Sequence, residues 1–434
     1  MKKISLLLVS GLFICGYTAV AQIDNLVNMS SEWIRSGARN AATDATDIVV
    51  YNPAGLTSLD NGFHINLSNQ FVFRKPSHQF DIGLGEGVRK FEQESSDPFL
   101  PNLFMTYKKN KWALFTGAFI SGGGATIDYS KGSITTDLIG LQALMGAQGA
   151  YMLIKDPSLK ASSFYITTTL GGTYAFSKKI SVAVAARYLS AKNTMKAGLT
   201  LTSSPYDLED MPLALDAEFN ATGFGEVISI CVKPIDKLVM TARFETQVKL
   251  DFKTKTTTDD FGATVNDEKN RRDLPGVLAF GVAYGINDKL KVVGDFNYYM
   301  QKNADWGKSS ELTENIPLAE LAGNAASYAM GMEYNFTEKF LVSAGFGFTE
   351  FGYSNKDGYY SSLGTFEVVP DDNWNINAGF LYRASKMLSV NAGFMQALYK
   401  KDQHVNALMA YPMEVDVTVN NSISIASVGV NLSF

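Results

Sequence analysis

Residues 238–252 alternate with a period of two: Leu238, Met240, Ala242, Phe244, Val248, Leu250 and Phe252 fall on one face, and Thr241, Arg243, Glu245, Gln247, Lys249 and Asp251 on the other. Only Val239 and Thr246 depart from the pattern. This rhythm is that of a β-strand with one apolar and one polar face. In a soluble sheet so long a strand demands a thick second layer, whereas in a transmembrane barrel the bilayer covers the apolar face. The split recurs at 328–336, with Tyr328, Met330, Met332, Tyr334 and Phe336 against Ala329, Gly331, Glu333 and Asn335, and again at 374–383.

The connections strengthen this reading. Six short polar turns, at 108–111, 177–179, 234–237, 287–289, 337–339 and 384–386, alternate with seven long connections at roughly 75–98, 120–160, 193–215, 253–274, 302–324, 351–371 and 399–419. Thirteen connections join fourteen strands, and the exchange of short turns with long loops is the periplasmic/extracellular asymmetry of outer-membrane barrels. Trp112, Tyr174, Tyr284, Phe340, Trp374 and Tyr382 crowd the strand ends as an interfacial girdle does. A soluble sandwich or propeller predicts neither feature. The expected fold is all-β: a fourteen-stranded antiparallel transmembrane β-barrel in the bacterial outer membrane, its wall facing outer-membrane lipid.

Composition removes the other classes. No run of eighteen apolar residues follows residue 21, so no membrane-spanning helix is expected. The start, Met1-Lys2-Lys3, an apolar stretch at 4–16 and Ala19-Val20-Ala21, reads as a secretory signal at 1–21. Cys231 is the only cysteine after it, which excludes an internal disulfide and a Cys-based metal site. A net charge of −5 gives no footprint for nucleic acid. With three histidines, His64, His78 and His404, and no nucleophile motif around a His64/Ser68 pair, neither an enzyme nor a cofactor or metal is expected.

At the other end, Val428, Val430, Leu432 and Phe434 alternate with Gly429, Asn431 and Ser433. The stretch resembles the terminal signal read by the barrel insertion machinery, with Gly429, Leu432 and Phe434 at matching positions. Residues 22–59 do not alternate. They carry a small-residue stretch at 36–45, then Asn52-Pro53-Ala54-Gly55-Leu56. Pro53 biases Asn52 away from helix and Gly55 permits a positive φ, so a fixed turn is expected between a short helix and the first strand. Ahead of a first strand, small residues suit packing inside a lumen.

Together these features resemble the FadL/TodX family of outer-membrane transporters for long-chain fatty acids and other hydrophobic compounds. Gly37, Ala41, Asp44, Ala45, Asn52, Pro53, Ala54, Gly55 and Leu56 fit the family's hatch pattern. The resemblance implies a hatch at 22–59 that plugs a barrel at 60–434. It also implies passive uptake of a hydrophobic small-molecule ligand, captured by outer loops and released sideways through a gap at a kinked third strand. Gly122-Gly123-Gly124, after the third strand, either break pairing there or simply begin a loop. For capture, loop 120–160 offers Leu138, Leu141, Leu144 and Met145, which equally suit a small core of the loop's own. For a carboxylate head, lumen-facing Arg187, Arg243 and Lys291 and hatch residues Arg35 and Arg39 are candidates, unless they pair with acidic neighbours. Two rivals fit the same layout: a barrel subunit that binds a secreted-protein partner, and a general porin, which a hatch disfavours.

Overall fold

The structure, a computed structural model, describes residues 28–81, 87–93, 96–203, 208–309, 313–408 and 414–434; the expected signal at 1–21 lies outside them. Fourteen antiparallel strands close into one barrel: β1 (Gly62–Arg74), β2 (Asp97–Lys109), β3 (Trp112–Tyr129), β4 (Leu153–Ala175), β5 (Ile180–Thr202), β6 (Met211–Ile235), β7 (Leu238–Glu245, continued by Asp251–Asp259), β8 (Gly276–Gly285), β9 (Leu290–Met300), β10 (Ala325–Asn335), β11 (Phe340–Phe351), β12 (Asn373–Arg383), β13 (Leu388–Tyr399) and β14 (Ile423–Ser433). Closure is by β1 on β14, from His64 opposite Ser433 to Arg74 opposite Ile423. Phe434 exchanges backbone hydrogen bonds with Phe63 just past the strand, its ring exposed.

The alternation builds an inverted protein in the membrane band. Outward residues are apolar and exposed, such as Phe224, Ile228 and Ile230 on β6, and inward ones are small or polar and buried, such as Ser229 and Cys231. The six tight turns and seven long connections appear where the sequence places them, but three of the long ones, those at 120–160, 193–215 and 253–274, are shorter than expected. β3 to β6 run on for 18, 23, 23 and 25 residues, where about 9–11 suffice to cross a bilayer. Much of 120–160 and 193–215 is therefore wall, not loop. Above the band the polarity of the wall reverses: Leu189, Met195, Leu215 and Phe219 point inward and are buried, while the ion pairs Lys192–Glu218 and Lys196–Asp216 stand outside.

β7 corrects the register expected at 238–252. Phe244 is outward and exposed and Glu245 inward and buried, as the alternation requires. The strand then breaks at 246–250, and from Val248 onward Val248, Leu250 and Phe252 are fully buried while Lys249 and Asp251 are exposed. Val248 is thus not lipid-facing, and Gln247 does not face the lumen floor but hydrogen-bonds Asp273 in the outer connection. An odd number of residues inserted at the break flips every side chain after it.

The long connections fold together as an outer cap. Gln403–Leu408, Glu414–Asn420, Ser77–Phe80 and Arg89–Glu92 form a separate antiparallel four-stranded sheet. It packs with helices α2 (Ile134–Gly146), α3 (Leu318–Ala322) and α4 (Lys356–Leu363) and with the tall ends of the wall in one continuous apolar core that includes Phe80, Phe252, Trp306, Tyr360 and Val417. The outer mouth is filled by side chains.

Candidate functional site

Below the cap, residues 28–59 cross the lumen. Their first helix, α1 (Ser31–Ser36), contacts β10 to β14 and β1; the 3-10 turns Thr46–Val49 and Pro53–Ser58 contact β1 to β6. Ser30 caps the Ser31–Ser36 helix by accepting from Trp33 N, and Gly37 ends it in the left-handed region. The sequence motif works as a lock. Asn52 Oδ1 accepts from Gly55 N at 3.2 Å and Asn52 Nδ2 donates to Ala42 O at 2.9 Å. Pro53 O and Ala54 O accept from Thr173 and Ser181 on β4 and β5, both at 2.7 Å. Gly55 is not at positive φ as expected; it is required because a Cβ there would strike the Asn52 side chain and the Ala42 carbonyl.

Inward glycines on the facing strands make room for the segment. A Cβ at Gly331 or Gly345 would meet Ser36 O, at Gly379 or Gly393 the Arg35 residue, and at Gly429 Ser31 Oγ. Gly429 therefore has a packing role beside any role in the terminal signal. The other four are not singled out by the sequence, although each sits on the inward side of an alternating strand beside a large outward residue, as Gly345 does beside Phe346.

Charge satisfies what the glycines admit. Arg35 pairs with Glu333 at 2.8 Å and hydrogen-bonds Ser343 and Asn391. Arg39 pairs with Asp44 at 2.8 Å and Asp47 at 2.6 Å, and Asp295 Oδ2 accepts from the Arg39 and Asn40 backbone N–H groups. Lys291 bridges Glu333 and Asp44. At the edge of the vestibule described below, Arg39 and Lys291 hold the Asp44 carboxyl well below the usual carboxylate range. Glu32 has three amide donors on one oxygen, from Asn66, Asn391 and Asn431 at 2.7, 2.9 and 2.7 Å. Arg35, Arg39 and Lys291 are thus committed to anchoring the segment. On its periplasmic side a polar vestibule of about 370 Å³ opens beside Glu32, Arg35 and Asp44.

Arg187 and Arg243 are placed differently. They converge on Glu245, with Arg243 Nε 2.9 Å from its Oε1, at a small chamber between the N-terminal segment and the cap. Arg243 Nη1 also donates to Tyr51 O at 2.5 Å. Two guanidinium groups against one carboxylate leave one positive charge, set among Trp33, Val49, Val50 and Phe119. The free space is about 30 Å³, enough for a water or two. A ligand fits only if the N-terminal segment or the cap moves.

The glycine triplet lies at the wall beside this chamber. β2 and β3 pair from Lys109–Trp112 up to Leu103–Ala118 and then part. Higher up, among the described residues, side chains span them, Asn102 accepting from Ile120 N and Asp97 from Thr126 N. On its other edge β3 keeps its ladder to β4 but skips Ser121 and Gly124, two bulges in five residues. Gly123 has φ +64, and a Cβ on it would strike Ser163. Phe119 and Ser121 at this kink also line the chamber. Gly122, Gly123 and Gly124 are part of a strand, so the loop-start alternative fails.

The capture candidates lie in the α2 region of the cap. Ser133 caps the helix Ile134–Gly146. Leu138 packs on the cap core, Leu141 and Leu144 are half-buried, and Met145 is 73% exposed. With exposed Met152, Leu153 and Leu208, Met145 gives the outer tip an apolar surface.

No protein-family model and no curated protein matches the sequence. Among solved structures, a Pseudomonas aeruginosa FadL homologue is similar over 95% of this chain and 100% of its own at TM-score 0.68 and 13% identity. The Pseudomonas putida toluene transporter TodX is similar over 95% and 99% at TM-score 0.64 and 13% identity, and the Ralstonia pickettii toluene transporter TbuX over 96% and 100% at TM-score 0.61 and 14% identity. The expected architecture is therefore the observed one, and the chain has the fold of the FadL and TodX barrels.

Proposed function

We propose that this protein is an outer-membrane channel for passive uptake of hydrophobic small molecules, long-chain fatty acids or aromatics, and that residues 22–59 act as its hatch. The observation that carries the reading is the parting of β2 and β3 beside a closed lumen chamber. A hydrophobic solute has no reason to cross the polar periplasmic vestibule, whereas a gap in the wall offers it the bilayer. The apolar tip around Met145 and Leu144 collects the ligand, the Arg187–Arg243–Glu245 group orients a carboxylate head, and movement of the hatch makes room. Gly429, Leu432 and Phe434 serve the insertion machinery. The resemblance of the fold to toluene transporters and a FadL homologue supports this reading without choosing the ligand.

Native mass spectrometry of the detergent-extracted protein tests it. A retained fatty acid or aromatic, lost on Arg243→Ala if the head is a carboxylate, is the expected result. A protein released with no lipid-like ligand, and cells that take up toluene and palmitic acid no faster with the protein than without it, would refute transport.

A further inference from the structure

The wall has a second discontinuity, which the uptake route above does not use. Below it Val227 of β6 pairs with Glu245 of β7, and above it Asn220 pairs with Lys253. Between these pairs 221–226 face 246–252, and Ala221 to Gly225 have no ladder partner on β7. One link crosses the space: Thr246 N donates to Glu226 O at 3.0 Å, and Glu226 N to Thr246 Oγ1 at 2.7 Å.

The intervening chain goes inward. A Cβ on Gly223 would lie 2.5 Å from Lys249 O and 2.6 Å from Val248 Cγ1, and one on Gly225 2.8 Å from Val248 Cγ2. Residues 246–250 thus cross the lumen face of β6 and cover the opening from inside. They are held by the Val248–Leu274 backbone pair at 2.9 Å, by Leu250 N on Asp273 at 3.0 Å, and by Arg187 Nη2 on Thr246 O at 2.8 Å. Arg187, Val227 and Glu245, directly below, line the chamber.

The two breaks are linked through the ladder. Following partners from the β3 kink, Gly122 faces Tyr165, Tyr165 faces Ala191, and Ala191 faces Ala221, the first β6 residue without a β7 partner. β3 to β6 are therefore one continuous panel released from its neighbours at both edges along one row. A wall meant only to seal would not interrupt its ladder along one row at both edges of the same panel.

We infer that the β6/β7 window is a second lateral opening, shut from within by residues 246–250, through which amphipathic molecules with a charged head pass between the chamber and the outer-leaflet headgroup region. The lips set the class. The window presents exposed Phe224 beside exposed Glu226 and Lys249, an apolar side chain flanked by charge of both signs. The inference rests on the transport reading.

The test is photolabelling with a diazirine-bearing palmitic acid during uptake by cells making the full chain, read by peptide mass spectrometry. Labels in 220–226 and 246–250 as well as in 119–125 are expected. Labels confined to 119–125 overturn the window and leave transport standing, and no labelling together with no protein-dependent uptake overturns both. Gly225→Val, whose side chain presses on Val248, should raise labelling of 246–250 in a barrel that stays heat-modifiable. Unchanged labelling there would also overturn the window; should that variant not fold, the wild-type labelling pattern decides alone.

Discussion

The outer cap and the hatch close one lumen from opposite ends, and they do it with different chemistry. The cap is a side-chain core, in which Trp306, Tyr360, Phe252 and Val417 exclude water as in a soluble domain. The hatch has small apolar contacts of its own, but it sits in a cradle of glycines and is tied to the wall by Arg35, Glu32, the Arg39 backbone N–H on Asp295 and backbone carbonyls. A packed core resists partial opening because each lost contact opens a cavity. A polar seat can exchange its hydrogen bonds for water or for a ligand's head, so in the uptake we propose it is the hatch that moves.

Trp306→Ala is the strongest way to break this contrast. It removes a buried ring, its hydrogen bond to Asp273 O at 2.8 Å and the Arg272 guanidinium stacked 4.1 Å from its centre. The cap should lose about 3–5 kcal/mol, seen as rapid protease cleavage in the outer connections with the barrel still heat-modifiable. Loss of the barrel as well would show that cap and wall are one cooperative unit.

A pH change sharpens the contrast next. His78 is buried in the cap, its Nε2 accepts from Ile134 N at 3.0 Å, and burial pushes its imidazole down to about 4. The unfolded cap binds the extra proton at about pH 4–6.5 and the folded cap does not, so stability present above about 6.5 is lost as pH falls towards 4, by up to about 3 kcal/mol. Cap proteolysis at pH 5 against pH 7 measures this. Equal resistance would mean the neutral imidazole is not needed.

The smallest effect belongs to the hatch. Gly55→Val forces a Cβ into the Asn52 side chain and should cost about 1–3 kcal/mol, and Pro53→Ala about 0.4–1 kcal/mol through added chain freedom. Hydrogen exchange of 28–59 should rise in both variants while barrel insertion stays normal. Unchanged exchange would make the hatch as rigid as the cap.

What the sequence shows depends on where the solvent changes. Within the bilayer band, alternation in 328–336 and 374–383 has a single meaning, and strands, turns and strand count follow from it. Above the band the same period continues with the apolar side turned inward, as in Leu189, Met195 and Phe219, so β3 to β6 look there like loops. The β7 break is invisible for a related reason: Phe244 and Val248 keep even spacing in sequence while the inserted residue reverses the face. Of the site, the Asn52-Pro53-Ala54-Gly55 lock and the glycine triplet are legible. The cradle glycines and the sharing of Glu245 by Arg187 and Arg243 are not, because they depend on which strands face one another across the lumen.

In the proposed route the β2/β3 parting is the way out. Deleting Ser121 and Gly124 together removes the two residues that the β3 ladder skips and restores one register along β4. The measurement is uptake of radiolabelled palmitic acid and toluene by cells carrying that variant, with insertion checked by heat-modifiable mobility. A normally inserted barrel is expected that no longer takes up toluene and takes up palmitic acid only as far as the β6/β7 window allows. Toluene uptake equal to that of the parent, through a barrel with a straightened β3, would contradict the proposed route.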